Sequence, residues 1–291
     1  MERKSLKLAT RGSMLAVAQS TLVAKDVERL TGMTVELVLI KTKGDMITDR
    51  PLELVGGKGL FTKEIEVALL RGDADFAVHS MKDLPADLPE GLVIGAVPLR
   101  ADPRDVLIGG KLANLTAGTV IGTGSARRRM QLRAVRPDLE FRDIRGNVDT
   151  RINKQRSGEY GAIMLAAAGL GRLGRTADAD EFVDVETVIP APGQGALALQ
   201  CREQDAEVRQ ILGGLHDFAT GVCVEAERAF LKGIIGGCSV PAAAYGKMTG
   251  SGKLRFLAFF AQGDDVRRTV IDGDAEDAVE IGARAASDLL G

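Results

Sequence analysis

"KSLKLATRGSMLAVAQSTLVAKDVERLTGMTVELVLIK", Lys4 to Lys41, alternates strand and helix grammar at the spacing of a βαβ unit. Residues 4–10 read as a strand, Ser13 as a helix N-cap, residues 14–30 as a helix and residues 34–41 as an apolar strand. This order puts the chain in the α/β class. Residues 44–59, "GDMITDRPLELVGGKG", are aperiodic and end rich in glycine, so a mobile loop is expected before a helix over 61–70. Residues 76–78 and 92–97 read as short buried strands. A second βα series runs through "GTVIGTG" (118–124), "LEFRDIRG" (139–146), "GAIMLAAAG" (161–169) and "FVDVETVI" (182–189), which predicts another α/β domain of similar build.

Two such domains normally leave a cleft between them, and the Pro-Gly cluster "PAPGQG" (190–195) reads as the crossing back to the first. The grammar then changes. Thr220 is expected to cap a helix over 221–235, "AAAYGK", "LRFLAFF" and "VRRTVI" read as meandering strands, and a last helix covers 276–290. The expected organisation is a first α/β domain from 1–98 with 196–214, a second from 99–195, and a small α+β domain from 215–291. No repeat or low-complexity segment is legible.

At 291 residues, 45% hydrophobic and 27% charged, the chain can bury a core in two or three domains. No stretch approaches the roughly 20 apolar residues of a membrane span, and "MERKSLKLATRGS" lacks the apolar run of a secretory signal, so a soluble, cytoplasmic protein is expected. Cys201, Cys223 and Cys238 are an odd number at wide spacings, which suggests neither a disulfide framework nor a C-x-x-C site. With only His79 and His216 as imidazoles, no metal site is expected, and chemistry falls to Asp, Glu, Lys, Arg or Cys.

The basic residues are concentrated. "TGSARRRMQLR" (123–133) puts three arginines in a row in a chain of net charge −2. If Ser125 caps a helix, Arg127 and Arg128 lie in its first turn, where the macrodipole disfavours cations by roughly 0.3–1 kcal/mol each, so a negative group must compensate. Free N–H groups and guanidinium forks at one helix start suit a carboxylate or phosphate. "ATRGSMLAVAQ" repeats this grammar with Arg11 ahead of Ser13, and Arg145, Arg151 and Arg172 also fall near strand-end turns. Residues 125–175 hold twelve Lys and Arg against five Asp and Glu. On charge alone this is a solvated basic face or an anion site. A slightly acidic chain with 4% aromatics and arginines at turns argues against nucleic acid and for a polyanionic small molecule.

Two glycine motifs fail on context. "GLGRLG" (169–174) matches G-x-G-x-x-G, but "AAA" separates it from its strand, and "GGKGL" (56–60) lacks P-loop spacing while offering one cation, Lys58. "HSMKDLPADLP" (79–89) places Lys82 and Asp83 at a strand's carboxyl end, where open α/β sheets put ligands; Asp83 reads as a site acid or a turn carboxylate. "GGCSVP" (236–241) places Cys238 in a tight loop, either as a small packing residue or as a sulfur that two glycines leave approachable.

Together "HSMKDLP", "GTGSARRRMQLR", "IRGNVDTR", "PAPGQGALALQCR", "AERAFL" and "GGCSVP", in this order, closely resemble the porphobilinogen deaminase family, also called hydroxymethylbilane synthases, over essentially the whole chain. The resemblance implies two periplasmic-binding-protein-like (type II) α/β domains around a cleft and a small α+β C-terminal domain carrying a cysteine. It implies a monomeric transferase that joins four porphobilinogen molecules head to tail with release of ammonia. The chain grows on a dipyrromethane cofactor bound covalently by a thioether, and Cys238 matches the attachment cysteine. Each porphobilinogen ring carries an acetate and a propionate, so the growing chain is a polyanion. By the same resemblance Arg11, Arg127, Arg128, Arg145, Arg151 and Arg172 bind carboxylates. Ser13, Gln19, Lys82, Thr123, Ser125 and Gln194 add hydrogen bonds, and Lys58 helps from its loop. Asp83 matches the catalytic aspartate: a buried carboxylate there can stabilise the azafulvene cation left by ammonia and exchange protons.

Ser239, Ile235 and Leu54 stand where the family often has Gln, Glu and, in some members, a loop Lys. The rival from another class is a solute-binding protein, which the two-domain architecture alone would fit. "GGCSVP" and "HSMKDLP" argue for the enzyme.

Overall fold

The computed structural model describes residues 4–46, 59–234, 240–250, 252–263 and 265–291. Chain contacts divide it into two compact units, one of Met1–Arg100 with Ala196–Gly221 and one of Ala101–Gly195 with Val222–Gly291.

The first unit opens with β1 (Ser5–Arg11), α1 (Met14–Thr31), β2 (Thr34–Ile40) and a helical turn α2 (Lys43–Met46). Then come α3 (Lys63–Arg71), β3 (Phe76–Ser80), a 3₁₀ turn Met81–Asp83 and β4 (Leu92–Ala96). The expected loop therefore begins later than Gly44, because Asp45 and Gly44 hydrogen-bond back to Thr42 and forward to Leu60. Residues 47–58 of that expected loop, Leu54 and Lys58 among them, lie outside the described residues.

Ser13 caps α1 as expected, its Oγ accepting from the Ala16 N–H at 3.3 Å. The helix stops at Gly32, whose φ of 72° turns its N–H onto the Glu28 carbonyl, a conformation L side chains rarely adopt. Leu6, Leu8, Val23, Val27, Phe76, Val78 and Leu199 form the core beneath α1. α3 begins at Lys63, two residues later than expected.

The second unit runs β5 (Asp105–Ile108), β6 (Val120–Gly122), α4 (Ala126–Val135), β7 (Glu140–Arg142) and α5 (Val148–Arg156). It continues with β8 (Ala162–Ala166), α6 (Ala167–Arg172) and β9 (Glu181–Val183), the last shorter than the strand expected over 182–189. The chain then returns through β10 (Leu197–Arg202) and α7 (Ala206–Gly213) of the first unit.

The first sheet has the order β2-β1-β3-β10-β4 and the second β7-β6-β8-β5-β9. In each, three strands taken second-first-third are parallel, and the fourth place is held by an antiparallel strand, the distant β10 in the first sheet and β5, which precedes the parallel series, in the second. These are the two α/β domains of similar build expected above. Their shared order is a repeat of topology that no sequence repeat announces, since pairing order needs only compatible buried faces.

The remainder is α8 (Phe218–Gly233), an antiparallel meander of β11 (Ala242–Met248), β12 (Lys253–Gln262) and β13 (Asp265–Asp274), and α9 (Ala278–Leu290). Phe230, Phe256, Ile281, Ala285 and Leu289 pack at its centre. The cap of α8 differs from expectation. Asp217, not Thr220, takes that role, its Oδ1 accepting from the Thr220 N–H at 2.8 Å and from the Thr220 hydroxyl at 2.6 Å. A carboxylate accepts both donors at once, so it displaces the hydroxyl as cap and the helix gains a turn.

Candidate functional site

In both sheets the parallel strands end on one edge, and the side chains singled out above gather there within each unit. In the first unit Arg11 is the last residue of β1, and Gln19, buried in α1, donates to Ser80 Oγ at the end of β3 at 3.1 Å. Lys82 and Asp83 follow on the 3₁₀ turn between two buried anchors, Met81 and Leu84. The Met81 N–H donates to the Ala196 carbonyl at 3.1 Å, which fixes the turn against β10. Between those anchors Lys82 is half-buried and Asp83 is exposed. The expectation of a buried carboxylate at Asp83 is corrected here: the strand ends at Ser80, and the turn lifts Asp83 off the sheet edge. Arg11 is occupied. Its guanidinium forks onto Asp45 and lies 3.9 Å from the Phe61 ring centroid.

His79 is no catalyst. It is buried, its Nε2 is 3.0 Å from Gln200 Oε1, and burial pushes its pKa down to about 4. Gln200 in turn donates to Glu66 at 3.4 Å. A histidine whose folded pKa lies below its unfolded value of 6.5 contributes stability that is fully present above pH 6.5 and is lost as pH falls toward 4. Urea unfolding should therefore show the wild type losing about 2–3 kcal/mol more than His79→Gln over that window. Parallel pH curves for the two proteins would contradict this.

In the second unit Thr123 is fully buried at the end of β6, and its Oγ1 accepts from the Ser125 N–H at 3.2 Å. Ser125 caps α4, its Oγ accepting from the Arg128 N–H at 3.4 Å. Arg127 and Arg128 are buried in the first turn, and the compensating negative charge is Asp105, which is fully buried. Arg127 Nη1 donates to Asp105 Oδ2 at 2.8 Å and to the Ile189 carbonyl at 2.6 Å. Arg128 donates to Asp105 Oδ1 through Nη2 at 2.7 Å and through Nε at 3.1 Å, and to the Met164 carbonyl at 3.0 Å. Gln194 adds a hydrogen bond to Asp105 Oδ1 at 2.9 Å. Burial alone would raise the Asp105 carboxyl, but the charges of Arg127 and Arg128 hold it well below the carboxylate range.

Asp105 is the residue sequence reading missed. A signal was available: it is an acid heading a four-residue strand, "DVLI", that is otherwise apolar and fully buried. Such a carboxylate needs a buried cation. Because β5 runs antiparallel to β8, with Asp105 opposite Ala166, the head of β5 falls on the edge where the parallel strands end.

Arg145, Arg151 and Arg172 have no acidic partner among the described residues, unlike Arg129, Arg156 and Arg175 of the same unit. Arg151 is half-buried on the Gly146 carbonyl at 2.8 Å; burial, then the charges of Arg128 and Arg145, push its pKa down. Arg145 is exposed beside them. Arg172, the last residue of α6, donates to the Gly195 carbonyl at 2.6 Å, and burial pushes its pKa down to about 10. Gly195 holds that carbonyl in place with a φ of 88°, where an added Cβ would sit 2.5 Å from the Ala101 carbonyl oxygen. "GLGRLG" is explained by α6, which starts directly after β8 instead of forming a phosphate turn. Half-buried cations held only by carbonyls are preformed for an anionic ligand.

Glu227 of "AERAFL" is fully buried and accepts from the Gly193 N–H at 2.6 Å and the Gly246 N–H at 2.9 Å, which ties "PAPGQG" to β11. Cys238, with Ile235 and Ser239, lies outside the described residues. Cys201 and Cys223 are buried, and burial pushes the Cys201 thiol up to about 11. Among the described residues no group of His, Cys, Asp or Glu could hold a metal ion, and no helix is long and apolar enough to cross a membrane.

Residues 6–210 match the family described as "Porphobilinogen deaminase, dipyromethane cofactor binding domain", and residues 222–291 match "Porphobilinogen deaminase, C-terminal domain". The chain is 50% identical over 296 residues to a porphobilinogen deaminase of Geotalea daltonii, covering 100% of this chain and 92% of that relative. It is 47% identical over 294 residues to one of Nitratidesulfovibrio vulgaris, covering 99% and 93%. Among solved structures it is similar to substrate-binding domain 2 of Lactococcus lactis GlnP at 10% identity and a TM-score of 0.46, over 74% of this chain and 88% of that one.

Proposed function

The chain belongs to the porphobilinogen deaminase family, and from that premise we propose that it is a transferase joining porphobilinogen molecules head to tail. Each addition releases ammonia, and four give the linear tetrapyrrole hydroxymethylbilane. The observation that carries the site assignment is the set of partly buried guanidinium groups, Arg151 and Arg172, with no acidic partner among the described residues.

That set fits the family's dipyrromethane, whose rings bear acetate and propionate groups. When bound, the cofactor would supply the free pyrrole carbon to which the first ring is joined, each later ring joining the one added before it. Arg145, Arg151 and Arg172 would hold its carboxylates or those of the growing chain, with Arg127 and Arg128 contributing the single net positive charge that Asp105 leaves them. Thr123, Ser125 and Gln194 orient that pair through the bonds given above. In the first unit Arg11, Ser13, Gln19, Lys82 and Lys58 serve the incoming ring. Asp83 stabilises the cation formed as ammonia leaves and moves its protons, and Cys238 is the point of thioether attachment.

The division into domains 1–98 with 196–214, 99–195 and 215–291 belongs to the same reading. So do a monomeric state and a cytoplasmic location.

Porphobilinogen given to the purified protein should release ammonia and yield a linear tetrapyrrole; no ammonia release would end this reading. Within it, Arg172→Gln should lower kcat/KM by about 10- to 100-fold, the worth of a lost charge-assisted pair. Arg172→Lys should recover only part of that, since it keeps the charge and loses the planar fork. Small, equal rises in KM from neutral replacement of each of the six arginines would contradict the polyanion assignment.

A further inference from the structure

Arg11 differs from Arg145, Arg151 and Arg172 in already holding a carboxylate. Its Nη2 donates to Asp45 Oδ1 at 2.5 Å, and its Nε donates to Oδ1 at 3.1 Å and Oδ2 at 3.3 Å. This is the forked pairing a small carboxylate ligand would make. Asp45 is itself fixed: the Thr42 hydroxyl donates to Oδ2 at 2.7 Å, and the Asp45 N–H donates to the Thr42 carbonyl at 3.1 Å. Thr42 is fully buried, so it is a firm anchor for the acid. Phe61 covers one face of the guanidinium, 3.9 Å from the ring centroid. The Nε–Nη2 edge of Arg11 is thus occupied by the protein's own acid.

We propose that Asp45 is a built-in competitor for substrate carboxylate at Arg11, a positioning residue that holds the guanidinium ready and weakens every anion that binds there. The proposal rests on the assignment of Arg11 to substrate binding. Binding through this edge exchanges one ion pair for another instead of creating a new one, so its gain is small. An arginine that released ligand carboxylates too slowly would hinder an enzyme that must move a lengthening polyanion onward at each addition.

The sign of the effect separates this role from a purely structural one. A structural acid, when removed, leaves Arg11 disordered and weakens binding. A competitor, when removed, strengthens it. In the holoenzyme, Asp45→Asn should lower KM for porphobilinogen by about three- to ten-fold without raising kcat, the range expected for a partly exposed forked pair. The inhibition constant for succinate, used as a plain dicarboxylate probe, should fall in parallel. Thr42→Val, which loosens Asp45 without removing it, should shift both values in the same direction by less. Unchanged or raised KM and succinate constants in Asp45→Asn overturn the proposal.

Arg11→Gln keeps the two readings apart. It should raise KM in the wild type and abolish the gain in the Asp45→Asn background. If Arg11→Gln raises KM while Asp45→Asn does not lower it, the competitor role is wrong and the Arg11 assignment stands. If Arg11→Gln leaves KM unchanged in both backgrounds, the Arg11 assignment is itself wrong.

Discussion

Asp83→Asn should keep the fold and the attached cofactor while turnover falls by about 100- to 1000-fold or more, the usual loss when a charge aimed at the reacting centre is removed. The substitution preserves shape and removes only charge and basicity. Asp83 is exposed and makes no hydrogen bond or ion pair among the described residues, so its loss withdraws nothing from the packing of Met81 and Leu84 on either side. Thermal unfolding of Asp83→Asn should match the wild type closely. Intact mass should still show the cofactor. Near-normal turnover would remove Asp83 from the chemistry. A collapsed Tm would show instead that the carboxylate braces the 3₁₀ turn.

The position of Asp83 was legible because its local signals agree: an apolar strand, "FAV", then "HSMKDLP" with Pro85 stopping any helix. The same holds for Ser13 and Ser125, each a hydroxyl directly ahead of a helical pattern. Asp105 was not legible in this way. Its partners Arg127, Arg128 and Gln194 are 22, 23 and 89 residues away, and they meet it only because β5 is inserted antiparallel between β8 and β9. Periodicity gives each strand its face and says nothing of its neighbours. The Arg11–Asp45 pair, 34 residues apart, escaped for the same reason, since Asp45 stands in a stretch with no periodic pattern. The start of α8 escaped for a different one. Asp217 and Thr220 are both good caps three residues apart, and what decides between them is that the carboxylate takes two donors from Thr220, leaving the hydroxyl oxygen for the Arg100 N–H at 3.1 Å.

Cys238→Ser should yield a protein with no covalent pigment and no measurable turnover, whereas Cys201→Ser and Cys223→Ala remain active. A thioether needs a soft sulfur nucleophile, and a serine hydroxyl is far less reactive toward a cationic azafulvene near neutral pH. The other two thiols are poorly placed to substitute. Cys201 is fully buried in β10 opposite Phe76 and Val93, and a thiol pushed up to about 11 by burial is almost wholly protonated at neutral pH. Cys223 is buried in the core that α8 forms with the C-terminal sheet, where Gly246 packs against it. Each should cost about 1 kcal/mol of stability on substitution and little else. Intact mass and an acid aldehyde test for pyrroles on the three variants decide the matter, because they read attachment independently of turnover. A coloured, mass-shifted Cys238→Ser protein would move the attachment elsewhere. A colourless wild type would mean that no dipyrromethane is bound, and then the arginines of the second unit would need a different anion.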